Sequence, residues 1–215
     1  MSNKRLPVFD RSGKTGIISL RKEAEMSVAE AIEKRRAYRS LAPVAINEEL
    51  IRDLTRHAQL APTCFNNQPA RFVFVHEPQQ LERLKEVFSP GNEWCYAASM
   101  VVAVFTKREL DCVIRDREYY LFDTGMQVAF LILRATELGL VAHPIAGYSP
   151  KKVREVLGIP EEYNVITLII IGRHASELSP VLSDKQIAAE RQRPERLPME
   201  QVMFLNRYPA GKEGW

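Results

Sequence analysis

Cysteine is scarce in this chain: Cys64, Cys95 and Cys112 are the only three among 215 residues. No pair has CxxC spacing, and an odd count at irregular intervals suits a reducing cytosol better than a disulfide framework. The four histidines, His57, His76, His143 and His174, are far apart. They form no HxH or HExxH arrangement, so nothing supports a metal site. Ten glycines occur, yet none falls into GxGxxG after a strand, GxxxxGK[ST] or a GxSxG elbow. The usual dinucleotide fingerprint, the P-loop and the hydrolase nucleophile are thereby excluded. Charge of one sign is also lacking. Thirty Lys and Arg face 27 Asp and Glu, a net +3, and the signs alternate, as in Arg52-Asp53 and Lys85-Glu86. This is a mixed solvated surface, not a nucleic-acid footprint. The apolar runs are too short to span a bilayer, and Met1 to Arg5 leads into no signal-peptide core. A soluble, cytoplasmic protein is expected, with no nucleic-acid or membrane partner.

Hydrophobic residues make up 46% of the chain and charged ones 27%, as in ordinary globular proteins, and the length allows one sizeable domain or two small ones. Residues 1–25 are polar, without period, and read as an N-terminal arm. Ser27 to Glu30 is a capping box that opens a helix to about Arg35. Asn47 starts another, with Ile46 and Ile51 as a staple and Pro62 as the stop. Arg71 to Val75 reads as a strand, followed by a short helix with Leu81, Leu84 and Phe88. Met100 to Phe105 has no polar face and predicts a strand buried on both sides. A long helix follows from about Arg117 to Leu138, ended by Gly139. Its apolar run Val128 to Leu133 predicts a helix covered nearly all round. Ser149-Pro150 opens a helix that Gly158 ends, and Val165 to Ile171 is another buried strand. In the proline-broken tail, Met199 to Phe204 reads as a further strand. Helices and strands therefore mingle in an α+β or α/β domain over 26–180. The arm and the tail, 181–215, fit around a partner better than on a compact monomer, so a homodimer is expected.

Four segments carry candidate chemistry. Arg35-Arg36-Ala37-Tyr38-Arg39 sits where a helix ends. Arginine's planar fork matches phosphate oxygens, although the helix dipole alone also favours cations there. Ala61 to Pro69 is a polar loop whose Asn and Gln side chains can read a heterocycle edge, or simply make a turn. His143 to Tyr148 reads as a loop between two helices, where Gly147 lets backbone approach a ligand. Arg191 to Pro198 is a basic tail, ordinarily a solvated one. Cys64 has no histidine near it in sequence and reads as a loop or structural residue.

In this order and at these separations, the segments resemble the FMN-dependent nitroreductase family over roughly residues 26–206. The matching pieces are RRxxR at 35–39, APTxxNxQP at 61–69, Asp123-Thr124-Gly125, Gly139-Leu140, Pro144-x-x-Gly147 and Arg196-Leu197-Pro198. The resemblance implies an α+β fold, a central mixed β-sheet flanked by helices, in an intertwined homodimer with FMN at the subunit interface. It implies that Arg35 and Arg196 anchor the phosphate, with Arg36 and Ala37 adding contacts. Arg39 would lie near flavin N1 and O2, where a fixed cation stabilises the charge left by reduction. Pro62, Thr63, Cys64 and Asn66 would reach the flavin from the other subunit. The backbone of Pro144, Ile145, Ala146 and Gly147 would lie near N5. Three positions depart from the pattern: Ala37 replaces a serine, Ala146 replaces a glutamate, and a tail lysine is missing, with Arg193 in place to substitute.

The implied activity is a two-half-reaction oxidoreductase, taking electrons from NADH or NADPH and passing them to a nitroaromatic or quinone. No protein acid or base is required. The connection from Thr106 to Arg117 is short where larger members insert helices, which implies an open, unselective pocket. Rival readings are a dehalogenase, a flavin-fragmenting enzyme or an azoline oxidase of the same fold, or a flavin-binding protein without turnover.

Overall fold

The computed structural model describes residues 26–208. The expected arm, 1–25, and the last residues of the tail, 209–215, lie outside the described residues. The helices are α1 (Val28–Lys34), α2 (Glu48–Gln59), α3 (Pro78–Leu84), α4 (Tyr120–Glu137), α5 (Pro150–Leu157), α6 (Asp184–Arg191) and α7 (Met199–Val202). The strands are β1 (Leu41–Ala42), β2 (Arg71–Val75), β3 (Met100–Thr106), β4 (Val113–Ile114), β5 (Arg117–Glu118), β6 (Val141–Ile145) and β7 (Asn164–His174).

The helix boundaries follow local chemistry. Ser27 and Glu30 close the reciprocal capping box of α1, and Asn47 accepts the Leu50 N–H to start α2. Ser149 caps α5, and Gly158, at φ +67°, ends it in the left-handed conformation. Three readings need correction. Residues 199–204 hold a short helix, α7, and not a strand, and pair with no strand among the described residues. The long helix begins at Tyr120, three residues after Arg117, since Arg117 and Glu118 pair with Ile114 and Val113 in a hairpin. His143 to Ile145 belongs to β6, not to a loop, and pairs with Ile170 to Leu168 of β7.

β7 is the spine of the sheet. β3 and β6 both pair with Leu168–Ile171, so they occupy opposite edges of it, while β1 extends its end at Arg173 and His174. β2 pairs with the far side of β3. The α+β class is the expected one, but every pairing among the described residues is antiparallel, where a mixed sheet was expected.

Side chains alternate across the pleat, and both faces are covered. Met100, Val102, Val104, Ile169 and Ile171 pack under Leu54, Ala58, Leu131 and Ala135 of α2 and α4. Val101, Ala103, Leu168 and Ile170 pack on the other face against Leu84, Val87, Trp94 and Val153. Within the single chain the sheet covers one side of α4, and Leu121, Phe122 and Phe130 are exposed along a strip with Gly125 and Ala129.

No helix among the described residues is long and apolar enough to cross a membrane. Leu131 has no solvent exposure at the α4–sheet contact. Leu131→Ala should therefore lower unfolding free energy by about 2–5 kcal/mol in chemical denaturation, through lost transfer energy and an unfilled cavity.

Candidate functional site

Where α1 ends, Arg35 leaves helical dihedrals and residues 35–40 run extended into β1. Glu190, near the end of α6, fixes this segment. Its buried carboxylate accepts the Arg39 N–H at 2.9 and 3.0 Å and the Ser40 N–H at 2.8 Å. Arg36 in turn donates to the carbonyls of Ala189 (2.9 Å) and Glu190 (3.2 Å), which end α6. Arg193 donates to the Glu33 and Arg35 carbonyls at the end of α1. Each helix thus has its terminal carbonyls satisfied by an arginine from beyond the other.

These contacts shape a cleft of about 150 Å³ lined by Arg35, Arg36, Ala37, Arg39, Ala189, Arg193, Pro194 and Arg196. Five guanidinium groups line it and no carboxylate does. Arg36 and Arg193 are committed to carbonyls. Among the described residues the Arg35 and Arg39 side chains have no hydrogen-bond acceptor, and Arg196 reaches only the nearby Pro194 carbonyl at 3.1 Å. Burial, followed by the charges of Arg193, Arg196 and Arg36, pulls the Arg35 pKa down. A guanidinium does not deprotonate in water-accessible protein, so an entering anion is what relieves this repulsion.

The floor beside the cleft is aromatic. Arg39 stands 5.7 Å over the Trp94 ring, Trp94 stacks on His143 at 4.7 Å, and Tyr38 stacks on His174 at 3.6 Å. His143 Nδ1 lies 3.0 Å from the Tyr38 carbonyl, so that nitrogen carries the proton. Burial, reinforced by the Arg39 charge and opposed by the Tyr38 carbonyl, holds the His143 pKa down to about 4. The two histidines nearest this region in space were 31 residues apart in sequence, which hid their convergence on Tyr38.

His143 also ties the arginine segment to the end of β6. There Pro144 and Ala146 are exposed while Ile145 is buried. The space that Gly147 opens is taken by Asn92: a Cβ at 147 would meet Asn92 Nδ2 at 2.2 Å, and that amide donates to the Gly147 carbonyl at 3.0 Å.

Pro62, Thr63, Cys64 and Asn66 do not line the arginine cleft. Their loop is held by α4, whose buried Asp123 and Gln127 accept the N–H groups of Cys64 (2.6 Å) and Ala70 (3.0 Å). Phe65, Asn66 and Gln68 all have positive φ, 47°, 61° and 49°, a costly run for residues with side chains. Cys64 is disulfide-bonded to Cys112 across 48 residues, which corrects the expectation of unpaired cysteines. The fold sets the 61–69 loop against the β4–β5 hairpin, a proximity that short-range spacing cannot reveal. The short connection is therefore fastened to the 61–69 loop. Glu190, Trp94 and Gln127 were missed as site-shaping residues, and His143 was read only as the start of a loop. Of these only Gln127 had a legible signal, a polar residue four after Asp123 in an otherwise apolar helix.

The nitroreductase family model matches residues 32–93 and 90–173. The chain belongs to the nitroreductase family. Bacillus subtilis YdgI, provisionally named an NAD(P)H nitroreductase, is 26% identical over 185 residues, covering 69% of this chain and 88% of its own. A Mycolicibacterium smegmatis protein of 15.4 kDa is 32% identical over 119 residues, 55% of this chain and 77% of its own. Among solved structures, an FMN-containing oxidoreductase superposes with a TM-score of 0.70 at 26% identity, over 83% of this chain and 91% of its own. A protein from Exiguobacterium sibiricum, solved in complex with FMN, gives 0.67 at 22% identity, over 83% and 96%.

The neutral His143 makes a pH prediction. Unfolded, it takes up a proton near 6.5; folded, only near 4. The unfolded chain therefore binds more protons in that window, and stability should fall by about 3 kcal/mol as pH drops from 6.5 to 4. Denaturation across this range should show a shallower acid slope in His143→Asn.

Proposed function

We propose that this chain is an FMN-dependent NAD(P)H oxidoreductase that reduces nitroaromatic, quinone or similar acceptors in two half-reactions at one site. The observation that carries this reading is the arginine cleft, a cage of cations with no carboxylate in its lining. FMN ends in a phosphate dianion, whose oxygens suit bidentate guanidinium forks. The two arginines committed to carbonyls hold the walls, which leaves Arg35 and Arg196 for the phosphate and Arg39 for the ring. The FMN named for two structural neighbours agrees with that anion, and the NAD(P)H in the name of YdgI agrees with the electron donor.

Bound there, FMN would supply the redox chemistry, taking hydride from a reduced nicotinamide and passing electrons to an acceptor. The chain's own part is to bind and to position. Arg39, held by its backbone against Glu190, keeps a permanent positive charge at a fixed place over Trp94. His143 stays neutral beside it and adds no competing charge. No side chain is needed as a general acid or base, since water can supply the proton.

The protein acts as a homodimer in this reading. The bare strip of α4, with Leu121, Phe122 and Phe130, lies on the same chain as exposed Val28 and Ile32 of α1. A second copy covering such surface would bring the partner's 62–66 loop toward the cleft, which no loop of its own chain lines except the arginine segments. The tail beyond Arg196, where the chain leaves its own cleft, would reach across the interface.

The absorbance spectrum of the purified protein is the first test: a flavin spectrum is expected, with bleaching by NADH or NADPH under anaerobiosis and recovery on adding a nitroaromatic or quinone. Colourless protein that refuses FMN would sink the reading, and bleaching without acceptor turnover would reduce it to flavin binding alone. Arg35→Ala should weaken FMN affinity by one to two decades, since a charge-assisted contact is worth roughly 1.5–3 kcal/mol. Arg39→Ala should lower the flavin reduction potential while largely sparing occupancy, measured by anaerobic redox titration.

A further inference from the structure

Each cysteine of the Cys64–Cys112 disulfide hangs from its own carboxyl group. The Cys64 N–H donates to Asp123 Oδ2 at 2.6 Å, and the Cys112 N–H donates to Asp111 Oδ1 at 2.8 Å. Asp111 Oδ1 also accepts from Asn67 Nδ2 at 3.2 Å, while its Oδ2 is buried without a donor among the described residues. Burial, reinforced by the Asp111 charge, raises the Asp123 pKa. The two sulfurs and an Asp111 carboxyl oxygen all lie within 4.8 Å of one another. A carboxyl group therefore stands beside the sulfur–sulfur bond.

Accessibility separates this pair from the third cysteine. Cys64 and Cys112 are half-buried, within reach of a small thiol, whereas Cys95 is a free thiol sealed in the core. The bond also has something to hold. The β4–β5 hairpin has two short strands, and among the described residues its ties to the 61–69 loop are the disulfide and the hydrogen bonds of Asn67 to Asp111 and Cys112.

We propose that Cys64 and Cys112 form a reversible redox site, reduced by a dithiol, whose opening unclasps the 61–69 loop from the β4–β5 hairpin. The thiolate of the dithiol forms a bond to one cysteine sulfur and breaks the sulfur–sulfur bond, releasing the other as thiolate. The released sulfur takes a proton from water. The second thiol of the reductant, giving its proton to water, then attacks the mixed disulfide, frees the remaining cysteine as a thiolate that water reprotonates, and closes its own disulfide. The protein gains two electrons and two protons and the dithiol loses the same, the protons passing through water. The clasp stands on its own geometry. Its effect on flavin binding rests on the function proposed above, because that reading puts residues 62–66 at the flavin.

The test uses the full chain, equilibrated over a range of reduced to oxidised dithiothreitol, quenched by alkylation and weighed by mass spectrometry. Cys64 and Cys112 should convert together as one two-electron unit, while Cys95 reacts only after unfolding. Reduction, and separately Cys112→Ser, should speed amide exchange across residues 107–119 by tenfold or more and leave β3 and β7 unchanged. A disulfide that yields only when the whole protein unfolds would overturn the proposal, as would reduction without faster exchange at 107–119. FMN affinity measured in both redox states should differ severalfold, and equal affinities would remove the link to the flavin. Protein that binds no FMN in either state would defeat the functional reading, while the thiol titration would still decide the clasp.

Discussion

Glu190 has its carboxylate under the arginine segment, shut off from solvent, and accepts three hydrogen bonds from two consecutive backbone amides. A buried carboxylate without partners is costly by several kcal/mol, so its position is permitted only while residues 39 and 40 stay where they are. The converse also holds: an extended chain leaving a helix has no intrinsic reason to present its side chains in one arrangement. The backbone grip converts Arg35 to Arg39 from a helix-end charge cluster into the wall of a cleft. Arg39 gains its place over Trp94 from its own amide rather than from its guanidinium, and the side chain is left available.

Much of the scaffold was legible in the sequence because it rests on local rules. The capping box at Ser27, the cap at Asn47, the glycine stop at 158 and the unbroken apolar runs of β3 and β7 each depend on residues within one or two turns. The misreadings share a different cause. His143 to Ile145 carries a proline and a histidine, poor strand formers that are nevertheless held in β6 by pairing with the central strand β7. Residues 199–204 are apolar enough at Met199 and Val202 to Phe204 to suggest a strand, but only Met199 to Val202 form an element, a single helical turn after Pro198.

The candidate site divides along the same line. The arginine segment and the tail arginines were identified from residue type and order, and the fold sets them around one cleft. What holds them was hidden. Glu190 is one acidic residue in a tail full of charges, and nothing local distinguishes it from its neighbours on α6. Cys64 and Cys112, separated by most of the distance from one loop to another hairpin, meet only because Asp123 and Gln127 pin the first loop to the start of α4.

The crossed arginines have a consequence for how order spreads through the molecule. Arg193, from beyond α6, satisfies the last carbonyls of α1, and Arg36, from beyond α1, satisfies those of α6. Neither helix end can fray without stripping the other of its cap, so the two termini melt as a single cooperative unit although they are more than 150 residues apart along the chain. A seven-residue helix such as α1 is too short to persist alone. Its existence is borrowed from the far end of the chain, and trimming the tail would dissolve structure near the beginning.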